Sequence, residues 1–174
     1  MQKLLRFDTS NPPGKESECI YFMQKLLTEA GIDTQILSKS PDRPNLVARL
    51  KGRGEARPLL LYGHADVVPA DSREWKYHPF QGEFADNQVW GRGALDMKGG
   101  IAMMLAAVLR AKHNSLHLPG DVILAIVSDE ETGGDGDGDD HGGHEPHREE
   151  FHADPMGHTR ASAGMTVSEL VDGY

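Results

Sequence analysis

Hydrophobic and polar positions along the chain fall into two regimes, and the change comes near residue 133. Before it, ESECIYFMQKLLTEA (16–30) sets Cys19, Phe22, Met23, Leu26, Leu27 and Ala30 at helical spacing, with Gly31 placed to stop the helix. NLVARL (45–50) and PLLLY (58–62) predict short strands, and KGRGEAR between them predicts a polar hairpin turn. GGIAMMLAAVLRAK (99–112) predicts a helix whose almost wholly apolar body is expected to be buried. DVILAIV (121–127) is a continuous apolar run, as expected of a strand covered on both faces. Strands alternating with helices predict an α/β fold with a mainly parallel sheet flanked by helices.

From Gly133 the pattern stops. GGDGDGDDHGGHEPHREEFHADPMGHTRASAG has almost no aliphatic residues and no period of either kind. Such a composition buries too little apolar area to offset chain entropy, so disorder is expected there. The division expected is residues 1–134 as the folded part and 135–174 as a low-complexity tail. The tail holds His141, His144 and His147 in a His-x-x-His-x-x-His run, but Gly and Pro neighbours deny that run a fixed geometry.

Composition narrows the function classes. At 174 residues the chain suits one domain with a core. A net charge of -9 argues against nucleic acid or an anionic membrane as partner. The single cysteine, Cys19, leaves no internal disulfide and points to a reducing compartment. The opening MQKLLRFDTSNPPG lacks the apolar core of a signal peptide, and no window approaches about eighteen unbroken apolar residues. A cytoplasmic protein is the expectation.

Candidate chemistry sits where core elements end. PLLLY runs into Gly63-His64-Ala65-Asp66, and residues two apart at a strand end point the same way. WGRGALDMKGG (90–100) places Asp96 just ahead of the apolar helix, and SDEE (128–131) follows the strand DVILAIV. The glycine stretch lacks the Gly-Lys-Ser/Thr ending of a phosphate loop, and a carboxylate at Asp96 would repel phosphate, so nucleotide binding is rejected. Each stretch alone also suits an ordinary loop, cap or acidic turn. Together they supply neutral nitrogen and hard oxygen donors at strand ends, a mix that suits zinc. A turn between two adjacent glutamates would let one bind metal while the other acts as a base.

GHADVVP, then W...PF.GE..DN.VWGRGALDMKGG and SDEETGG in that order, together resemble the M20 family of metallo-aminoacylases and peptidases, and RFDTSNPPGKE is similar to the family's amino-terminal segment. The resemblance runs from about Leu4 to Gly134. It implies a zinc-peptidase-like sheet, with two Zn2+ ions per site that Co2+ or Mn2+ could replace. It assigns His64, Asp96 and Glu131 as metal ligands, with Asp96 bridging two metals, and it implies a cis peptide bond after Asp96. Glu130 becomes the general base, and Asp66 hydrogen-bonds the other nitrogen of His64. The implied reaction is hydrolysis of the amide bond in N-acyl amino acids or small peptides. For Arg92 and Lys98, structural salt bridges are at least as well supported as a catalytic role.

The resemblance also has gaps. The family supplies a further acidic ligand about two dozen residues beyond the glutamate pair, a distal histidine, and a lid and dimerisation domain. Asp154 stands at a matching distance, as a weak metal ligand, but no apolar strand precedes it. The expectation is therefore a truncated amino-terminal part of a catalytic domain, with a tail of the kind an out-of-frame reading produces. The alternative to a working hydrolase is a catalytically inactive fragment with at most weak metal binding.

Overall fold

Apolar spacing in the first third of the chain forms the helix the sequence predicts. The structure, a computed structural model, describes residues 1–132. A short helix α1 (Gln2–Leu5) precedes α2 (Ser17–Glu29), which buries Cys19, Ile20, Met23 and Leu27. Gly31, at φ +69°, ends α2 in the left-handed region that glycine adopts without penalty. The strands are β1 (Asp33–Leu37), β2 (Asn45–Leu50), β3 (Leu59–His64), the small hairpin pair β4 (Glu83–Ala85) and β5 (Gln88–Trp90), and, after helix α3 (Lys98–His113), β6 (Val122–Val127).

The main sheet has the order β1-β2-β6-β3, and it corrects the expectation of a mainly parallel sheet. Only β3 and β6 run parallel, whereas β1–β2 and β2–β6 are antiparallel. Connection length is the physical reason. The link between β1 and β2 is too short for a crossover, which takes a dozen or more residues, so those strands reverse. Between β3 and β6 the chain has room for α3 and crosses over.

KGRGEAR is not a hairpin turn between paired strands. It straps the sheet edge instead, with the N–H of Arg53 donating to Leu118 (3.0 Å) and that of Glu55 to Pro119 (2.7 Å). It delivers the chain from the end of β2 to the start of β3, and β6 inserts between the two strands. β3 therefore opposes β2 and runs with β6.

Alternation along the strands sorts the core. Leu46, Ala48, Leu124 and Ile126 pack with α2 and α3 through Ile20, Met23, Leu27, Ile101, Leu105 and Val108. Val47, Ile123, Ala125 and Val127 form a second, smaller cluster with Leu37, Leu60 and Tyr62. α3 is not buried all round as expected. It is amphipathic, with Ile101, Leu105 and Val108 inward and Met103 72% exposed. Among the described residues, no helix is long and apolar enough to cross a membrane.

Candidate metal centre

Parallel pairing of β3 with β6 places His64 opposite Val127, so the segments that follow both strands leave the sheet at one edge. The N–H of Ala65 extends the ladder to the Val127 carbonyl at 2.8 Å. Carboxyl ends of adjacent parallel strands are where open α/β sheets collect functional groups. Gly63 allows α3 to lie close here, since a Cβ would stand 3.0 Å from the terminal methyl carbons of Met97 and Met104. The third stretch arrives through the turn before α3, where the Asp96–Met97 peptide bond is cis.

Five expected site residues meet at this edge. The Nε2 of His64 lies 3.1 Å from Asp96 Oδ1 and 3.8 Å from Glu130 Oε2. Its Nδ1 lies 3.1 Å from the main-chain oxygen of Asp66 and 3.4 Å from the Asp66 carboxylate. His64, Glu130 and Glu131 each offer a ligand atom within 4.8 Å of the others. His64 and Asp66 are buried, while the Asp96 side chain is 77% exposed. Asp154, His141, His144 and His147 lie outside the described residues.

Asp66 does more than face His64. Its Oδ1 accepts from the N–H of Glu130 (3.1 Å) and its Oδ2 from the N–H of Glu131 (3.0 Å) and the amide of Asn11 (2.9 Å). One buried carboxylate thereby fixes the turn that carries both glutamates. Burial alone would raise its pKa, but hydrogen bonds from His64, Asn11 and those two N–H groups hold it well below the usual carboxylate range. Burial opposes charge on His64 as well. The Asp66 and Asp96 contacts outweigh it and push the imidazole up to about 9. Both ring nitrogens face acceptors, which is the environment of an imidazolium or of a cation in its place. Burial raises the Glu131 pKa, with Asp96 and Glu130 adding to it against His64. One imidazole and three crowded carboxylates thus form a donor set that fits a divalent cation.

Residues the sequence did not single out stand behind this set. Asn11 also donates to Asp129 (2.9 Å) and Thr132 (3.2 Å). Arg43 Nη2 donates to Asp129 at 2.7 Å, and its Nε lies 3.4 Å from the buried Glu16. Thr132 donates to Asp129 as well. Asp129 has φ +81°, a left-handed conformation uncommon outside glycine. Ser128 is held by Asn45 (2.9 Å) and by the Pro44 carbonyl (2.8 Å). Ser128, Asp129 and Thr132 lie in the SDEETGG stretch and Asn11 and Glu16 in RFDTSNPPGKE, but sequence reasoning assigned none of them an individual role, and it held no signal for Arg43.

Arg92 and Lys98 form no ion pair among the described residues, which corrects the salt-bridge expectation. Lys98 is buried and donates to the Phe7 carbonyl at 2.7 Å, and burial lowers its pKa. The Arg92 guanidinium lies over the Trp75 ring at 5.3 Å. Both Trp75 and Arg92 line a cleft of about 600 Å³, with Trp90, Leu95 and Asp96.

Comparison with known proteins accords with this geometry. Residues 60–164 match the model of peptidase family M20/M25/M40, and the chain belongs to that family. It is 41% identical over 118 residues to a succinyl-diaminopimelate desuccinylase of Cereibacter sphaeroides, covering 67% of this chain and 30% of the relative. It is 38% identical over 134 residues to an N-formyl-4-amino-5-aminomethyl-2-methylpyrimidine deformylase of Bacillus subtilis, covering 75% and 32%. The chain thus spans about a third of the length of the curated relatives it matches. Human carnosine dipeptidase 1 shares the fold at TM-score 0.67 and 21% identity, over 76% of this chain and 31% of that one. The M20 family metallo-carboxypeptidase Sso-CP2 of Sulfolobus solfataricus matches at TM-score 0.65 and 26% identity, over 76% and 30%.

Proposed function

We propose that residues 1–134 are the amino-terminal part of the catalytic domain of a zinc-dependent hydrolase of amide bonds in N-acyl amino acids or small peptides. In this reading His64, Asp96 and Glu131 would hold the metal, and Asp66 orients His64. Asp154, beyond the described residues, is a candidate further ligand. The observation that carries the proposal is the meeting of His64, Glu130 and Glu131 ligand atoms within 4.8 Å, with Asp96 3.1 Å from His64 Nε2. Similarity to a desuccinylase and a deformylase supports an acyl amide as the bond cleaved.

Bound zinc would supply the Lewis acidity that polarises the amide carbonyl. The chain's own residues do the rest. Glu130, half exposed beside the ligand group, takes a proton from the attacking water and passes it to the leaving nitrogen. Asp66 keeps Glu130 and Glu131 at a fixed spacing through their N–H groups. The cleft beside Asp96, lined by Trp75 and Trp90, offers an apolar wall for the substrate chain.

Cobalt titration tests the reading, because a tetrahedral or five-coordinate site with His and carboxylate ligands gives a visible ligand-field spectrum. A saturable spectrum lost in His64→Ala is expected. The absence of saturable binding of Co2+ and Zn2+ to the wild-type chain would sink the proposal.

A further inference from the structure

We propose that Asn11 is a positioning residue of the metal centre, whose side-chain amide locks the Glu130–Glu131 turn in register with His64. The inference rests on the metal-centre reading and adds a part that no expected ligand supplies.

The geometry points to the amide specifically. Asp66 and Asp129 are both buried carboxylates; Asp66 accepts from the N–H groups of Glu130 and Glu131, and Asp129 immediately precedes them in the chain. The Nδ2 of Asn11 lies 2.9 Å from an oxygen of each. A primary amide brings two N–H donors on one atom, enough to satisfy both acids without adding charge. A lysine or arginine would neutralise the negative field that favours a cation here. An aspartate would offer no donor and set three carboxylates together.

Asn11 is itself fixed from the chain on both sides. Its N–H donates to the Val67 carbonyl at 2.9 Å, next to Asp66, and the N–H of Val67 donates to Thr9 at 3.1 Å. The segment 8–14 therefore docks on the loop that leaves His64. Arg43 adds to the support by donating at 2.7 Å to Oδ1 of Asp129, the same oxygen that accepts from Asn11. The left-handed backbone at Asp129 turns the chain so that Glu130 and Glu131 address Asp66 through consecutive N–H groups. Without the Asn11 donors, the Asp66 and Asp129 carboxylates lose the donor they share, and among the described residues the Asp129 side chain keeps only Arg43 and Thr132.

The test uses the chain without metal first. Amide hydrogen exchange at Glu130 and Glu131 is measured by NMR in wild type, Asn11→Ala and Asn11→Asp, with residues 123–126 of β6 as internal reference. Exchange at Glu130 and Glu131 is expected to quicken roughly 10- to 100-fold in both variants, while β6 is unchanged. Cobalt affinity of the same samples is expected to fall about 10- to 100-fold, the range that supporting residues of metal sites command. Three results overturn the inference: unchanged exchange at Glu130 and Glu131, equal acceleration throughout β6 or loss of the whole fold in both variants, or a loosened turn with unaltered cobalt affinity. A wild-type chain that binds no cobalt defeats the metal reading and the positioning role with it, whereas unchanged cobalt binding by the variants defeats the positioning role alone.

Discussion

Arg43 and Asp129 are 86 positions apart in sequence, yet the guanidinium Nη2 donates to the carboxylate at 2.7 Å. Antiparallel pairing of β2 with β6 is what brings them together. The amino-terminal end of β2 lies beside the carboxyl-terminal end of β6, with Leu46 opposite Ile126, so the residue three positions before Leu46 reaches the turn after β6. Asp129 is 3% exposed and Arg43 20%, so the pair is largely shielded from solvent screening.

Arg43→Ala leaves Asp129 and the buried Glu16 without their cation. Burial already raises the Glu16 pKa, and one of its carboxylate oxygens has no hydrogen-bond partner. Loss of a hydrogen bond to a buried charged group typically costs about 1.5–3 kcal/mol. Urea unfolding of Arg43→Ala is expected to show that loss as a lower midpoint at constant slope. A midpoint within experimental error of wild type would mean that the other partners of Asp129 suffice.

This pair also marks the boundary of what the sequence disclosed. The stretches that hold His64, Asp66, Asp96, Glu130 and Glu131 were legible because each ends or precedes an element whose apolar period is plain, while the residue roles expected within them came from the resemblance to the M20 family; the helices α2 and α3 were legible from the same period. Strand direction is not encoded in local periodicity. NLVARL reads alike in a parallel or an antiparallel setting, and a parallel β2 would put Arg43 at the opposite sheet edge from the glutamates. The strap formed by KGRGEAR was missed for the same reason, because its partners Leu118 and Pro119 lie more than sixty residues away. Burial of one face of α3 alone was likewise invisible, since Met103 and Ile101 are both apolar and the position of the sheet decides which one is buried.

Gly63→Ala tests how tightly α3 must approach His64. The added Cβ would meet Met97 and Met104 at 3.0 Å and Ile101 at 3.3 Å. The methionine ends are flexible, so the strain falls in the lower part of the range for overpacking, about 1–3 kcal/mol. A reduced thermal midpoint is expected, together with weaker cobalt binding, because Met97 adjoins Asp96. A loss of stability with unaltered cobalt affinity would show that the loop carrying Asp96 is independent of this contact.

Removal of a ligand and removal of a support differ in size. Asp66→Asn keeps the shape but turns one of the two oxygens that accept the Glu130 and Glu131 N–H groups into an NH2 donor, and cobalt affinity is expected to fall roughly 10- to 100-fold. His64→Ala is expected to fall further than that range, because a donor atom is lost. Competition with a cobalt-responsive chelator measures both, and the reverse ranking would move Asp66 from support to ligand.

Acid stability isolates a contact remote from the metal centre. Asp121 accepts from the Gly52 N–H at 2.7 Å and from Arg49 at 2.6 Å, tying the KGRGEAR strap to the start of β6. The Gly52 hydrogen bond first, and Arg49 after it, lower the Asp121 pKa from its ordinary 3.8. The folded state therefore resists protonation of this carboxylate more than the unfolded chain does. Its contribution is complete above the unfolded pKa of about 4 and is lost as pH falls through the depressed folded value. At neutral pH, Asp121→Asn is expected to lower stability by about 1–2 kcal/mol, since the backbone contact survives in the amide while the charged contact to Arg49 does not. The difference between wild type and variant should shrink below about pH 4 and vanish once Asp121 is protonated in both states. Urea midpoints taken from pH 7 down to pH 3 measure that difference directly. A gap that stays constant across this range would assign the effect of the substitution to packing and not to the charge.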